Sequence, residues 1–412
     1  MFYHLHKHSD SSKTLPRQYW NLSSLQLLFW SSIAASSYLT VFLQKQDFRP
    51  NQVGFINAVI SVVSIITTPF WGMMADRIRS IRKIFILCMS IGIVLWVLVP
   101  VSSRITIGPL VLIYAVIILG AFFINPANSL FDAFSVQRSD LDSLPYGHVR
   151  LWGSLSFAIM SLFMSIILPF TGVEFSFCLY AIVLIPLLII MWKMKGADMG
   201  RRTEHINFQN MGFGKLFRNY YFITYLFFAL FIYMPVNTLM VFLPYLIEAV
   251  GGDTAKFGLL NACRAIVEIP ILFLMRTFRR KLPLPLIVSG AAIIFCVEAF
   301  FCTRVTNLYQ IIILQAFHGI GGAIMIGAAT NYVYSLAPEG LNSTAHTING
   351  AVTSIASIVG NLAGGFIILS MGIFSYYRVI FWTMLFALVY FYISIIVGTK
   401  ILKKPLPALK SA

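Results

Sequence analysis

Stretches of about twenty apolar residues recur from one end of this 412-residue chain to the other. Each is long enough to cross the ~30 Å hydrocarbon layer of a bilayer as a helix. The chain is 58% hydrophobic and 11% charged. Soluble domains carry about 25% charged residues, so lipid must replace water around most of this surface. The runs are continuously apolar and do not alternate, which excludes a barrel of strands. Helices satisfy their own backbone in lipid, so the pattern predicts an all-α membrane protein. Twelve spans are expected: 20–44, 51–75, 83–102, 109–136, 146–169, 173–193, 219–248, 254–277, 283–303, 307–336, 341–371 and 375–402.

The formal net charge is +16, which in a soluble chain suggests nucleic acid. Its distribution points elsewhere. With the N-terminus inside, 22 of the 30 Lys and Arg fall on the cytoplasmic side and 6 outside. The remaining two, Arg150 and Arg264, lie in or at the membrane. This asymmetry predicts both termini in the cytoplasm. The basic excess is topological, with some attraction to anionic lipid, and no nucleic-acid partner is expected. The first 19 residues are polar and show no small-residue cleavage pattern, so no removable signal peptide is expected. All five cysteines fall within spans, which disfavours a disulfide framework.

The longest polar interruption, 193–218, divides the chain into six-helix bundles at 1–192 and 219–412. Two such pseudo-repeats around a central cytoplasmic loop place a substrate near mid-membrane, between the halves.

Five ionisable groups lie at membrane depth: Asp132, Arg150, Arg264, Glu268 and Glu298. At about 2.5–3.5 kcal/mol each, leaving all unpaired would cost on the order of 12–17 kcal/mol. That exceeds what a typical fold can absorb. They must pair, face water or change protonation. Three acids against two bases leave one negative charge over, so either one carboxyl is protonated or His318 is positive. Such an imbalance suits proton coupling, although cavity water would also solvate the extra charge. Glu268 follows Arg264 by four residues, on one helical face; a local ion pair and a substrate role both remain open.

Between spans two and three the chain reads Trp71-Gly72-Met73-Met74-Ala75-Asp76-Arg77, followed by Arg79, Arg82 and Lys83. This resembles the loop signature of the major facilitator superfamily, with Gly72, Asp76 and Arg77 as a conformational motif. Gly72 is expected to permit close helix approach, and Asp76 to bond a neighbouring helix N-terminus. The matching loop of the second half, Arg276 to Lys281, keeps its basic residues and lacks the aspartate. Tyr146-Gly147-His148-Val149-Arg150-Leu151-Trp152-Gly153-Ser154 resembles the start of span five in lactose permease-type proton symporters and in the related phenylpropionate and nucleoside permease-like groups. Ala265-Ile266-Val267-Glu268-Ile269-Pro270 is similar to span eight of the phenylpropionate-type group.

The resemblance implies a substrate site built from Asp132, Arg150, Glu268 and His318. Three positions depart from it. Gly321 stands where an acid carries the proton in the lactose permease type. Glu298 stands where that type has an arginine, so the charge is reversed. Phe157 replaces the tryptophan on which the sugar stacks, offering a smaller apolar face. Proton handling is therefore expected to be either rebuilt, on Glu298, Glu268 and His318, or absent, and a sugar substrate is in doubt.

Among the polar residues within spans, Asn237 and Gln315 are expected in the cavity with Arg264. Asn125, Asn331, Asn349 and Asn361 are expected to make helix–helix hydrogen bonds worth roughly 0.6 kcal/mol. His4, His6 and His8 read as a solvated tail, with no metal. No nucleotide-binding glycine loop, metal-ligand spacing or nucleophile triad appears, so the chain is not read as an enzyme and needs no cofactor. The expectation is a monomeric secondary transporter of the inner or plasma membrane, in contact with lipid. It would move a small polar solute (saccharide, nucleoside or aromatic acid) with protons, the proton gradient supplying the drive. An uncoupled facilitator, an exporter of drugs or metabolites, or a solute sensor are the alternatives.

Overall fold

The structure, a computed structural model, describes residues 17–107, 110–194, 213–338 and 341–404. Twelve helical segments are long and apolar enough to cross a membrane. The first six are Arg17–Lys45, Pro50–Ile78, Ile81–Ser102, Leu112–Leu141, Tyr146–Thr171 and Phe175–Lys193. The second six are Tyr220–Ala249, Thr254–Met275, Leu284–Cys302, Leu308–Leu336, Thr344–Met371 and Ile373–Ile401. They are called spans one to twelve below. Most of the loop expected at 193–218, both chain ends and Glu339 lie outside the described residues.

The twelve-span reading holds, with local differences. Span four starts later than expected because Thr106–Ile107 and Leu110–Val111 pair as a short antiparallel hairpin before it. Spans one and four are discontinuous. Span one breaks between Ser36 and Leu39, where Ser36 and Ser37 turn their hydroxyls back onto the Ile33 and Ala34 carbonyls. Such back-bonding competes with the backbone ladder and bends helices. Span four breaks at Asn125-Pro126, since a proline restricts the residue before it and donates no N–H.

The loop motif also differs from expectation. A Cβ at Gly72 would meet nothing within 4 Å, and Asp76 is exposed. The turn is made instead by Arg79 in the left-handed conformation (φ 54°) and by Ser80, whose hydroxyl accepts from the Lys83 N–H at 3.2 Å. No close helix approach therefore depends on Gly72.

Spans one, five and six pack together, as do three, four and six; in the second half, span ten packs on eight and nine, and span seven on eleven and twelve. Two helix pairs make the main joins between the halves, two with eleven and five with eight. They approach through glycine. A Cβ at Gly54 would collide with the Asn361 carbonyl oxygen, and one at Gly365 would sit 2.6 Å from the Pro50 oxygen. A Cβ at Gly258 would strike the Ser161 carbonyl.

Four hydrogen bonds between the halves lie toward this same end. Tyr245 donates to the Phe48 carbonyl (3.1 Å), Tyr38 to the Ala255 carbonyl (3.4 Å), Asn261 to Ser37 (3.4 Å) and Gln44 to Glu248. This end is closed. Gly54→Val should hold it open, because two methyl groups cannot enter a space that has no room for one carbon. The check is alkylation of a cysteine introduced at Ser37, which should speed up in the Gly54→Val background.

Candidate functional site

Two cavities meet in the interior. The lower one, ≈ 390 Å³, lies between spans one and five of the first half and spans seven to ten of the second. Its walls include Trp30, Arg150, Ser154, Phe157, Glu268 and His318. The upper one, ≈ 560 Å³, lies nearer the closed end. Phe157 and Arg264 belong to both and form the waist between them.

The span-five motif explains how Arg150 is held. Its guanidinium lies over the Trp30 ring, 3.9 Å from the centroid, and reaches the Ser154 hydroxyl at 3.4 Å. Gly153 makes this possible, since a Cβ there would collide with the Trp30 ring. Trp30 is fixed in turn: its Nε1 donates to Gln26 (3.1 Å), whose amide donates to Ser135 at 3.0 Å. Trp152, in the same motif, donates to the Tyr19 hydroxyl on span one at 3.1 Å. A cation over a half-buried indole gains about 0.5–2 kcal/mol while keeping N–H groups free for a ligand.

Asp132 stands behind this assembly and not on either cavity wall. It accepts from the Tyr146 hydroxyl at 3.3 Å and acts on Arg150 electrostatically. Its place on the second segment of span four, past the Asn125-Pro126 break, turns it toward the start of span five.

Arg264 is not locked in a local pair. No carboxylate lies within 4 Å of it among the described residues, and its Nε is shielded with no hydrogen-bond partner. It interacts electrostatically with both Glu268 and Glu298. Span ten passes close beneath it: a Cβ at Gly319 would collide with the Arg264 carbonyl. Glu298, 1% exposed, pairs with His318 Nδ1 at 3.0 Å, while His318 itself reaches the lower cavity. Gly321 faces the Phe295 ring, where a Cβ would come within 2.8 Å. An acid has no room there, and among the described residues the carboxyl paired with the histidine is the one on span nine.

Asn237 and Gln315 line neither cavity. Asn237 donates to Ser357 (2.6 Å) and Thr353 (3.3 Å), tying span seven to span eleven. Gln315 is buried with its Oε1 unpartnered. Asn331 and Asn361 bond carbonyls of their own helices and not neighbouring ones. Sequence reasoning missed Trp30, Gln26 and the upper-cavity residues Asn57 and Asn261. Trp30 carried a readable signal, since tryptophan in spans normally sits at the interfaces and Trp30 is midway along span one.

The MFS_1 like family model matches residues 19–379. The uncharacterized transporter YwbF of Bacillus subtilis (strain 168) is 25% identical over 351 residues, covering 83% of each chain. The maltose permease of Geobacillus stearothermophilus is 21% identical over 346 residues, covering 83% of this chain and 85% of that one. Among solved structures, the nucleoside transporter NupG superposes with TM-score 0.76 at 12% identity, over 93% of this chain and 99% of its own. A D-xylose-proton symporter superposes with TM-score 0.68 at 14% identity, over 96% and 98%. These structural likenesses carry the fold; the family match carries the membership. With twelve membrane-competent helices around a charged interior, this chain is an integral membrane transporter of the major facilitator superfamily and belongs to its MFS_1 like family.

Proposed function

We propose that this transporter takes up a small polar solute together with protons, by exposing one central site to the two sides of the membrane in turn. The observation that carries the reading is the His318–Glu298 pair, 3.0 Å apart, with His318 on the wall of a cavity that both halves line and Glu298 buried behind it. A histidine facing a carboxylate is a pair of proton-accepting groups in contact, the chemistry that a proton-coupled carrier needs. Arg264 adds a second coupling element, facing Glu268 and Glu298 without a fixed partner. Solute and proton can then compete for, or cooperate on, one set of charges. Closure at the glycine-packed end, with hydrogen bonds across it, fits one of the two states that rocking requires.

The solute would sit against Arg150, Phe157, Arg264, Glu268 and His318. Asp132 would act through Tyr146 and Arg150. The membrane is proposed to be the inner or plasma membrane, with both ends of the chain in the cytoplasm. Reporter fusions at the 193–218 loop and at either end should give a cytoplasmic signal; a periplasmic signal at any of them would overturn this topology. Function is tested with purified protein in proteoliposomes, screening saccharides, nucleosides and aromatic acids for flux. Flux that only equilibrates a solute, unaffected by a proton gradient, would favour an uncoupled facilitator. Binding without flux would favour a sensor.

A further inference from the structure

The upper cavity is polar in a different way from the lower one, whose walls carry Arg150, Glu268 and His318. The upper walls carry no carboxylate, and Arg264 at the waist is the one charged residue lining them. The asparagines around it are oriented by their partners. Asn57 donates to the Val53 carbonyl (2.9 Å) and Asn125 to the Ile60 carbonyl (3.0 Å). A carbonyl only accepts, so in both residues the atom facing it must be the amide nitrogen. Asn261 donates to Ser37, whose own hydrogen is committed to the Ala34 carbonyl at 2.7 Å. Each amide thus spends an N–H on the protein. None of the three carbonyl oxygens has a protein donor among the described hydrogen bonds. Ser36 and Ser61 likewise give their hydrogens to backbone carbonyls and keep their lone pairs. The chamber offers these acceptors beside the second amide N–H of each asparagine and the unpartnered Nε1 of Trp96, a mixture that suits hydroxyls, which both donate and accept.

Both discontinuous helices reach this same chamber. The span-one break supplies Ser36 and Ser37, and the span-four break supplies Asn125. Broken backbone at membrane depth is tolerated where it lines a watered cavity, and discontinuous spans build transporter binding sites.

We infer that the upper chamber is a second solute subsite, which reads hydroxyl donors on the solute. It rests on the transport reading above and adds the solute's chemistry: an uncharged, hydroxyl-bearing part enters the chamber, with Phe157 and Arg264 at its threshold. A cation would also meet acceptors there, but it would lie against Arg264 with no acid to balance it. An apolar group would leave the carbonyl oxygens unpaired, which is costly when water is displaced.

The test uses the full chain in nanodiscs with four probes: uridine, 2′,3′-dideoxyuridine, maltose and 3-phenylpropanoate. Asn57→Ala and Asn128→Ala are the variants. Asn57 bonds only its own helix, and Asn128 is exposed to the interior, so neither substitution removes a described contact between helices. At least one of uridine and maltose should bind the wild type, and each variant should weaken it about tenfold, the loss of one hydrogen bond to a buried group. Should uridine bind, dideoxyuridine should bind weakly and be indifferent to Asn57→Ala, because probe and protein then lack the two ends of one contact. Equal weakening of both probes by Asn57→Ala would mean a structural role and overturn the inference. So would failure of both hydroxylated probes to bind, whether or not 3-phenylpropanoate does. Flux in proteoliposomes is a separate readout: hydroxyl-dependent binding without flux would sink the transport reading and leave the subsite standing.

Discussion

Arg150→Ala should reduce solute uptake about a hundredfold or more while leaving the protein inserted and folded. The reason is the combination of contacts at this one side chain. Its face rests on Trp30 and its edge reaches Ser154, so the guanidinium is aimed and dry on one side, with N–H groups left over. A hydrogen bond to a charged group contributes about 1.5–3 kcal/mol, and a cation over a half-buried indole about 0.5–2 kcal/mol more. Losing the ligand contact alone accounts for roughly one to two powers of ten in affinity. Misplacement of Trp30, which Arg150 covers, accounts for the rest. Arg150→Lys should recover little, because an ammonium is a point charge and cannot lie flat on the ring while donating sideways. Membrane yield and thermal unfolding of the variant provide the control. Normal uptake by Arg150→Ala would remove the residue from the site.

The second large effect is expected at Glu298. Glu298→Gln should abolish gradient-driven accumulation and spare solute exchange. The amide is close in shape and can still face His318 Nδ1, so packing around this buried position is kept. It cannot take up and release a proton. Exchange needs the solute to bind and the halves to rock, without net proton movement; accumulation needs both. Glu268→Gln serves as the comparison. It lines the cavity directly, so it should weaken binding and depress both readouts together. If Glu298→Gln still accumulates solute under a pH gradient, the proton is carried elsewhere.

The twelve spans were legible because lipid imposes one rule on every stretch that crosses it, and apolar length reports that rule directly. Arg150, Glu268 and Glu298 were legible for the same reason, since a charge at membrane depth needs a cavity or a partner. What stayed hidden is side-chain direction. Asn237 and Asn57 are both single asparagines in apolar runs, and nothing nearby in sequence says that one bonds span eleven while the other faces a chamber. Asp132 looked like a ligand because its spacing to Arg150 is suggestive; the Asn125-Pro126 break puts it one residue removed, behind Tyr146. Gly153 was inside a motif already singled out, yet its purpose depends on Trp30, more than a hundred residues earlier in the chain. The breaks at Ser36-Ser37 and Asn125-Pro126 had local signals, a serine pair and an Asn-Pro step. Their convergence on one chamber is a property of the packing alone.

The measurement that tests the central claim most directly is net uptake into proteoliposomes under an imposed pH gradient, acid outside, with no solute gradient. The account predicts accumulation above the outside concentration, collapse of that accumulation when a protonophore is added, and its absence in Glu298→Gln vesicles that still exchange. Solute that enters only to equal concentration, whatever the pH difference, would contradict it.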